Sequence, residues 1–306
     1  MRELALAVLM LAAGAVAAAG DERPPTMGEV LAASQASDWR PLDPDHTLYM
    51  DLPGGRVVIA LAPELAPRHV ANIETLVKQG YFDGLAVVRS QENYVVQWGD
   101  PAAEPEERRS LGEAARSLAP EWERPLDGAT HLTCLPDPDP YAPRVGFVHG
   151  MPVGVDPEKR RIWQAHCYAT VGVGRGVAAD SGSGAELYVV IGHAPRHLDR
   201  NVTLVGRVVQ GMEHLSTLPR GTGPLGFYES EEERVPIRSV RLGSQLPETE
   251  RASLELLRTD TEAFERLIAS RRTRSEEWFV DPTGRIGLCN VPLPVRERES
   301  GGSSEE

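Results

Sequence analysis

Three cysteines in 306 residues, Cys134, Cys167 and Cys289, leave little room for cysteine chemistry. No C-x-x-C occurs, so neither a thioredoxin-type centre nor a structural zinc knuckle has support. In an oxidising compartment one pair can close and one thiol is left over, and spacing does not choose among the three pairings. H-E-x-x-H and G-x-S-x-G are both absent, which removes the common zinc-hydrolase and serine-hydrolase signatures. Asp180-Ser181-Gly182 has no His/Asp arrangement to support it, and the eight histidines are scattered. No metal site or cofactor is expected. Basic residues are outnumbered 45 to 32, giving a formal net charge of −13. No Lys/Arg cluster offsets this. Phosphate contact needs such a patch, so nucleic acid is not an expected partner.

What the chain has in quantity is glycine (29) and proline (25). That balance favours turns, short strands and long loops over a helical bundle. The first residues, MRELALAVLMLAAGAVAAAG, place one basic residue before an apolar run from Leu4 to Val16. Ala17-Ala18-Ala19 supplies an A-x-A cleavage site, so residues 1–19 are expected to be a secretory signal peptide. The apolar core is short for a membrane span. A periplasmic or secreted location follows, with no stable membrane insertion after cleavage.

Residues 20–46 read as a leader with a short helix over Met27–Ala33. Thr47–Leu52 and Arg56–Leu61 alternate apolar and polar around Pro53-Gly54-Gly55, the pattern of a hairpin. Pro67 suits the first turn of a helix, Val70, Ile73, Leu76 and Val77 form its stripe, and Gly80 ends it. Tyr81–Pro101 then reads as two apolar strands with Arg89 and Gln97 set into them. From Pro101 to Gln164 no periodicity is sustained, and a long elaborated loop is expected, with a short strand near Arg144–Val148. Strands return at His166–Val173, Ala185–Ile191, Val202–Val209 and Val235–Leu242, with a short helix over Val209–Leu215. Residues 247–306 are expected to be a helical extension, with helices over Glu248–Arg258 and Thr261–Trp278 and a disordered GGSSEE tail. The GVGRG stretch, Gly172–Gly176, lacks the strand–helix context of a dinucleotide loop and reads as a turn. Asn201-Val202-Thr203 fits a glycosylation pattern but opens a strand, which suggests a structural role.

The run GRVVIALAPELAPRHVANIETLVKQGYFDGLAVVRSQENYVVQWGDP resembles the first half of a cyclophilin-type peptidyl-prolyl cis/trans isomerase. The family's hairpin, its helix opened by Ala-Pro, its G-Y-Y-D-G turn, its F-H-R strand and its F-M-Q-G-G-D strand all have counterparts in order. TVGVGR (170–175), GAELYVVIG (184–192) and HLDRNVTLVGRVVQGMEHL (197–215) are similar to the second half. The resemblance covers 47–242 and leaves out the leader, the 101–164 insertion and the C-terminal extension. It implies a mainly β fold: a closed eight-stranded antiparallel barrel capped by two helices, with the domain running from 47 to 246.

It also implies an activity, acceleration of X–Pro isomerisation, with proline-containing unfolded or exported polypeptides as partners. Arg89 then becomes the donor to the prolyl amide, and Gln97 orients Arg89 and the peptide. Side chains alternate along a strand, so Val87 is expected on the Arg89 face. Tyr94, Val95, Tyr188 and Leu198 would wall the proline pocket, with Val87 beside it, and Gly174 and Arg175 would border the next subsite. The sequence departs from the family pattern in several places. Phe-His has become Val87-Val88, the usual Gln is Glu186, the usual Trp is His197, and the first Gly of G-G-D is Trp98. Glu186 shares a face with Tyr188, so its carboxylate is expected in the groove, pairing with Arg89. Weakened activity with narrowed specificity is expected, the alternative being a non-catalytic peptide-binding or chaperone module.

Overall fold

Alternation along Thr47–Leu52 and Gly55–Leu61 puts Leu48, Met50 and Leu52 with Val57, Ile59 and Leu61 on one buried face, and the two strands pair antiparallel across the Pro53-Gly54 turn. In the computed structural model, which describes residues 23–102, 106–128 and 130–298, this hairpin belongs to a curled antiparallel sheet of nine strands. From one edge the order is Val235–Pro236, Ala86–Ser90, Val95–Gly99, Leu187–Val190, Thr170–Val173, Leu204–Gln210, Gly55–Leu61, Thr47–Leu52 and Ser239–Leu242. The helix Pro67–Lys78 begins on Pro67 as expected, and its Val70, Ile73, Leu76 and Val77 join the core inside the sheet. The short helix near residue 209 forms later, as Glu213–Ser216, because the preceding strand runs on to Gln210.

The insertion is ordered by pairing that its sequence does not advertise. Arg124–Pro125, Thr133–Leu135, Arg144–Val148, Met151–Asp156 and Arg161–Gln164 form a second antiparallel sheet of five strands. One anchor to the main sheet is electrostatic. Glu121 accepts hydrogen bonds from the backbone N–H of Arg68 (3.2 Å) and His69 (2.9 Å) at the start of the Pro67–Lys78 helix and from Arg68 Nε (3.1 Å), and it lies 2.6 Å from His69 Nδ1. Although burial opposes ionisation, these donors pull the Glu121 carboxyl down to about 2. A carboxylate is favoured at a helix N-terminus, where backbone N–H groups lack intrahelical acceptors.

The leader and the extension fold on each other, and here the helical expectation fails. Over Glu248–Arg258 the chain makes one 3-10 turn, Glu248–Glu250, and then a strand, Leu254–Leu257. That strand lies between Trp39–Pro41 and Val295–Glu297 in a three-stranded sheet. Pairing on both sides overrides the local amphipathic pattern. The second expected helix is shorter, Glu262–Thr273, and stops at Arg274, which is left-handed (φ 45°). The leader helix Met27–Ala32 carries a complete Thr26/Glu29 capping box. A second core collects Val30 and Trp39 of the leader, Val145, Phe147 and Trp163 of the insertion, and Phe264 and Leu267 of the extension. Cys167 and Cys289 form the disulfide, tying the chain just ahead of the strand Thr170–Val173 to the extension, and Cys134 is a free, exposed thiol. Residues 1–19 and the tail 299–306 lie outside the described residues. Among the described residues no helix is long and apolar enough to cross a membrane.

Candidate active site

On one outer face of the curled sheet, Arg89 stands opposite Gln97 across the pairing of Ala86–Ser90 with Val95–Gly99. The register slips one step earlier. Val87 opposes Trp98, then Arg89 opposes Gln97, so two residues on one strand match one on the other. This bulge breaks the alternation. Trp98 points into the core, and Val87 follows it there, fully buried, while Arg89 follows Gln97 outward. Val87 therefore does not border the groove, contrary to the expectation from simple alternation.

The other expected residues meet, except that Glu186 is not part of the cleft lining. Arg89, Tyr94, Val95, Gln97, Gly174, Arg175, Tyr188 and Leu198 line one cleft of about 330 Å3, joined by Val173 and Val202. The Arg89 guanidinium is tethered from three sides. Its Nε donates to the Leu225 carbonyl (2.7 Å), Nη1 to Gln97 Oε1 (3.1 Å) and Nη2 to Gln91 Oε1. The rings of Tyr94 and Phe227 lie 5.5 and 5.2 Å from it. Burial lowers the Arg89 pKa, and Tyr94 and Glu186 oppose that shift. Glu186 does not pair with Arg89 as expected. Its carboxylate accepts from Gln97 Nε2, so the Gln97 amide stands between cation and anion and its orientation is set from both ends. Gln91, Leu225 and Phe227 were not legible as site residues. Leu225 and Phe227 sit in a Gly/Pro loop more than 130 positions from Arg89, and nothing local marks them.

Tyr188 on the cleft wall heads a buried polar chain. Its hydroxyl is 2.7 Å from His166 Nε2, and His166 Nδ1 is 3.0 Å from Asp199 Oδ1. Ionised Asp199 only accepts, so Nδ1 carries the proton. In the neutral ring Nε2 is then the acceptor, and the Tyr188 O–H donates to it. Arg196 continues the chain, donating through Nε to Asp199 (2.6 Å) and through both Nη atoms to Asp139 of the insertion (2.9 and 3.2 Å). Burial works against the Arg196 charge, but Asp139 and Asp199 hold its pKa above the ordinary value. The phenol proton thus turns away from the cleft toward His166, and burial raises the Tyr188 pKa well above its ordinary value. Gly172, inside the GVGRG stretch, makes room for this: a Cβ there would overlap the Tyr188 ring. It sits in the strand Thr170–Val173, not in a turn.

His166 yields a pH prediction. It is fully buried, and burial pushes its pKa below the ordinary 6.5 despite Asp199. Below that pH the unfolded chain binds a proton that the folded chain refuses, so stability falls as pH drops. The urea midpoint is expected to decline between pH 7.5 and 5.5, above the carboxylate range. The decline should shrink in His166→Asn. An equal decline in both proteins would remove His166 as its source.

Among the described residues no group of three or more His, Cys, Asp or Glu is arranged to hold a metal ion. The cleft offers a tethered cation, an oriented amide and apolar walls, an arrangement suited to binding and polarising a neutral peptide.

Comparison with known proteins agrees. The family model for cyclophilin type peptidyl-prolyl cis-trans isomerase/CLD matches residues 47–242. A probable peptidyl-prolyl cis-trans isomerase of Brucella suis biovar 1 is 27% identical over 197 residues, covering 64% of this chain and 80% of that one. A peptidyl-prolyl cis-trans isomerase of Schizosaccharomyces pombe is 43% identical over 47 residues, 15% of this chain and 30% of that one. The crystal structure of cyclophilin AquaCyp293 from Hirschia baltica superposes with a TM-score of 0.66 at 26% identity, covering 89% of this chain and 97% of that one. With more than half of its length matched by the family model, the chain belongs to the cyclophilin-type peptidyl-prolyl cis-trans isomerases.

Proposed function

We propose that Arg89 is the donor that drives X–Pro isomerisation in this enzyme, and that Glu186 narrows the peptides it accepts. The barrier to rotation about the peptide bond, roughly 18–20 kcal/mol, comes from amide resonance. In the twisted state resonance is lost and the prolyl nitrogen becomes pyramidal. Its lone pair can then accept a hydrogen bond that the planar amide cannot. A donor placed there stabilises the twisted state more than the ground state, and that difference is the catalysis. No bond to the substrate forms or breaks.

The tethering of Arg89 carries this reading. Of the five N–H groups of a guanidinium, three are occupied by Leu225, Gln97 and Gln91. Two remain for a peptide, on a plane whose orientation is already set. Little ordering is left to be done when substrate binds. Tyr94, Val95, Tyr188 and Leu198 are the proposed walls for the prolyl ring, and Gly174 and exposed Arg175 border the adjoining subsite. Closure of the curled sheet into an eight-stranded barrel belongs to the same proposal and keeps this floor rigid. Val235–Pro236 pairs with one edge of the curled sheet, and Ser239–Leu242, two residues on, pairs with the other, so that one segment serves both edges.

Glu186 tunes the site by two routes. It engages Gln97 Nε2, leaving one N–H on that amide for a substrate carbonyl, and it adds a negative charge beside the cleft. The signal-like N-terminus supports exported, proline-containing polypeptides as substrates. Assays of the chain starting at Gly20 on X–Pro peptides differing only in a flanking Glu or Lys are expected to favour Lys. In Glu186→Gln that preference should collapse and the rate on the Glu peptide should rise several-fold. Equal rates on both peptides in the unsubstituted protein would overturn the role given to Glu186.

A further inference from the structure

A second cavity, of about 240 Å3, lies between the strand Leu204–Gln210 and the C-terminal segment Leu288–Leu293. It shares no lining residue with the Arg89 cleft. The disulfide between Cys167 and Cys289 forms part of its wall, so the two sides are covalently held. Phe147, Tyr168, Val291 and Leu293 make the lining largely apolar. Arg207 is the one charged residue in that lining, and no Asp or Glu contributes to it.

Arg207 is one of the arginines in this acidic chain that have no carboxylate partner among the described residues. Arg56, Arg196, Arg241, Arg272 and Arg296 each meet a carboxylate within 3.0 Å. Arg207 meets none among the described residues. Its polar contact is a long hydrogen bond from Nη1 to the Leu293 carbonyl, 3.4 Å. The neighbouring charge is another cation, Arg40, itself bonded to the His149 carbonyl at 3.1 Å. Burial, and then Arg40, bring the Arg207 pKa down to about 10. Arg207 is partly buried, and a cation partly withdrawn from water with no carboxylate beside it carries a cost that falls when an anion arrives. The guanidinium has four N–H groups beyond the one given to Leu293, in a planar fork that matches a carboxylate.

We propose that this cavity binds a carboxylate carried on a compact apolar group, with Arg207 clamping the carboxylate and the apolar wall enclosing the rest. The end of a peptide with an aliphatic last residue has that chemistry, and so does a small branched-chain acid. The site is independent of the prolyl cleft, and its occupant is held between the isomerase fold and its extension.

The test is thermal unfolding of the full mature chain with N-acetyl-leucine, N-acetyl-leucinamide, isovalerate or inorganic phosphate. N-acetyl-leucine is expected to raise the Tm saturably, with half-saturation on the order of 1 mM, as befits a ligand of this size. The amide, which keeps the apolar body and loses the charge, should give no shift. Arg207→Gln should abolish the response, and Arg89→Ala should retain it. Isovalerate matching N-acetyl-leucine identifies a small acid as sufficient, and a weaker response identifies the peptide end. No shift with either acid, or an equal shift with the amide, overturns the proposal even if Arg207→Gln fails to fold. An equal shift with phosphate overturns the requirement for an apolar body.

Discussion

Replacing Arg89 with alanine is expected to lower kcat/KM for X–Pro isomerisation by about two to three orders of magnitude, the usual loss when one preorganised transition-state donor is removed. The fold should survive. Arg89 is only partly buried, and its neighbours Val88 and Ser90 keep the sheet face and its pairing with Val95–Gly99. The loss should fall on kcat more than on KM, because the apolar walls that hold the prolyl ring remain. Arg89→Lys should rescue little. A lysine carries the charge as a point, and one ammonium cannot reproduce a planar fork that reaches Leu225, Gln97 and Gln91 while leaving donors for substrate. Isomerisation measured by exchange NMR on a proline tetrapeptide, with circular dichroism as the check on folding, decides the matter. Activity within a few-fold of the unsubstituted protein in a folded Arg89→Ala would move the catalytic donor elsewhere in the cleft.

A second large effect is expected at the disulfide. Cys167 and Cys289 are 122 positions apart, so the bond closes a long loop and removes much of the freedom of the unfolded chain. For such a loop the stabilisation is about 2–5 kcal/mol. In a protein of this size that corresponds to a fall in Tm of about 5–15 °C when Cys289→Ser breaks it. Reductant should lower the Tm of the unsubstituted protein by the same amount and leave the variant unmoved. Isomerase activity at low temperature should persist, since the latest chain positions at the site, Leu225 and Phe227, precede the extension, and no residue after 246 lines the cleft. A variant as stable as the parent would mean that the second core holds the extension without the bond.

Much of this was readable from residues alone, and the reason is locality. The hairpin of Thr47–Leu52 with Gly55–Leu61 and the helix opened by Pro67 rest on alternation, turn chemistry and a 3.6-residue stripe, all contained within a few residues. Arg89 and Gln97 stood out because a full-time cation and an amide are costly in apolar strands unless they serve a site, and they do line one cleft. Val87 was misplaced because a bulge depends on the partner strand: only the step from Trp98 to Gln97 shows that the face changes there. The helix expected over Glu248–Arg258 became the strand Leu254–Leu257 for a related reason. Its partners, Trp39–Pro41 and Val295–Glu297, lie far away in the chain, and the hydrogen bonds they supply outweigh a weak local preference.

The buried chain from Tyr188 through His166, Asp199 and Arg196 to Asp139 spans four separate segments, and no spacing rule joins them. The same holds for the choice of Cys167 over Cys134 as the partner of Cys289. The sequence by itself determined the family, the turns, the faces of the regular strands and the two polar groups at the centre of the cleft. The tertiary structure decided the register, the disulfide, the sheet within the insertion and the packing of leader on extension, because each rests on groups that meet only after distant segments have paired.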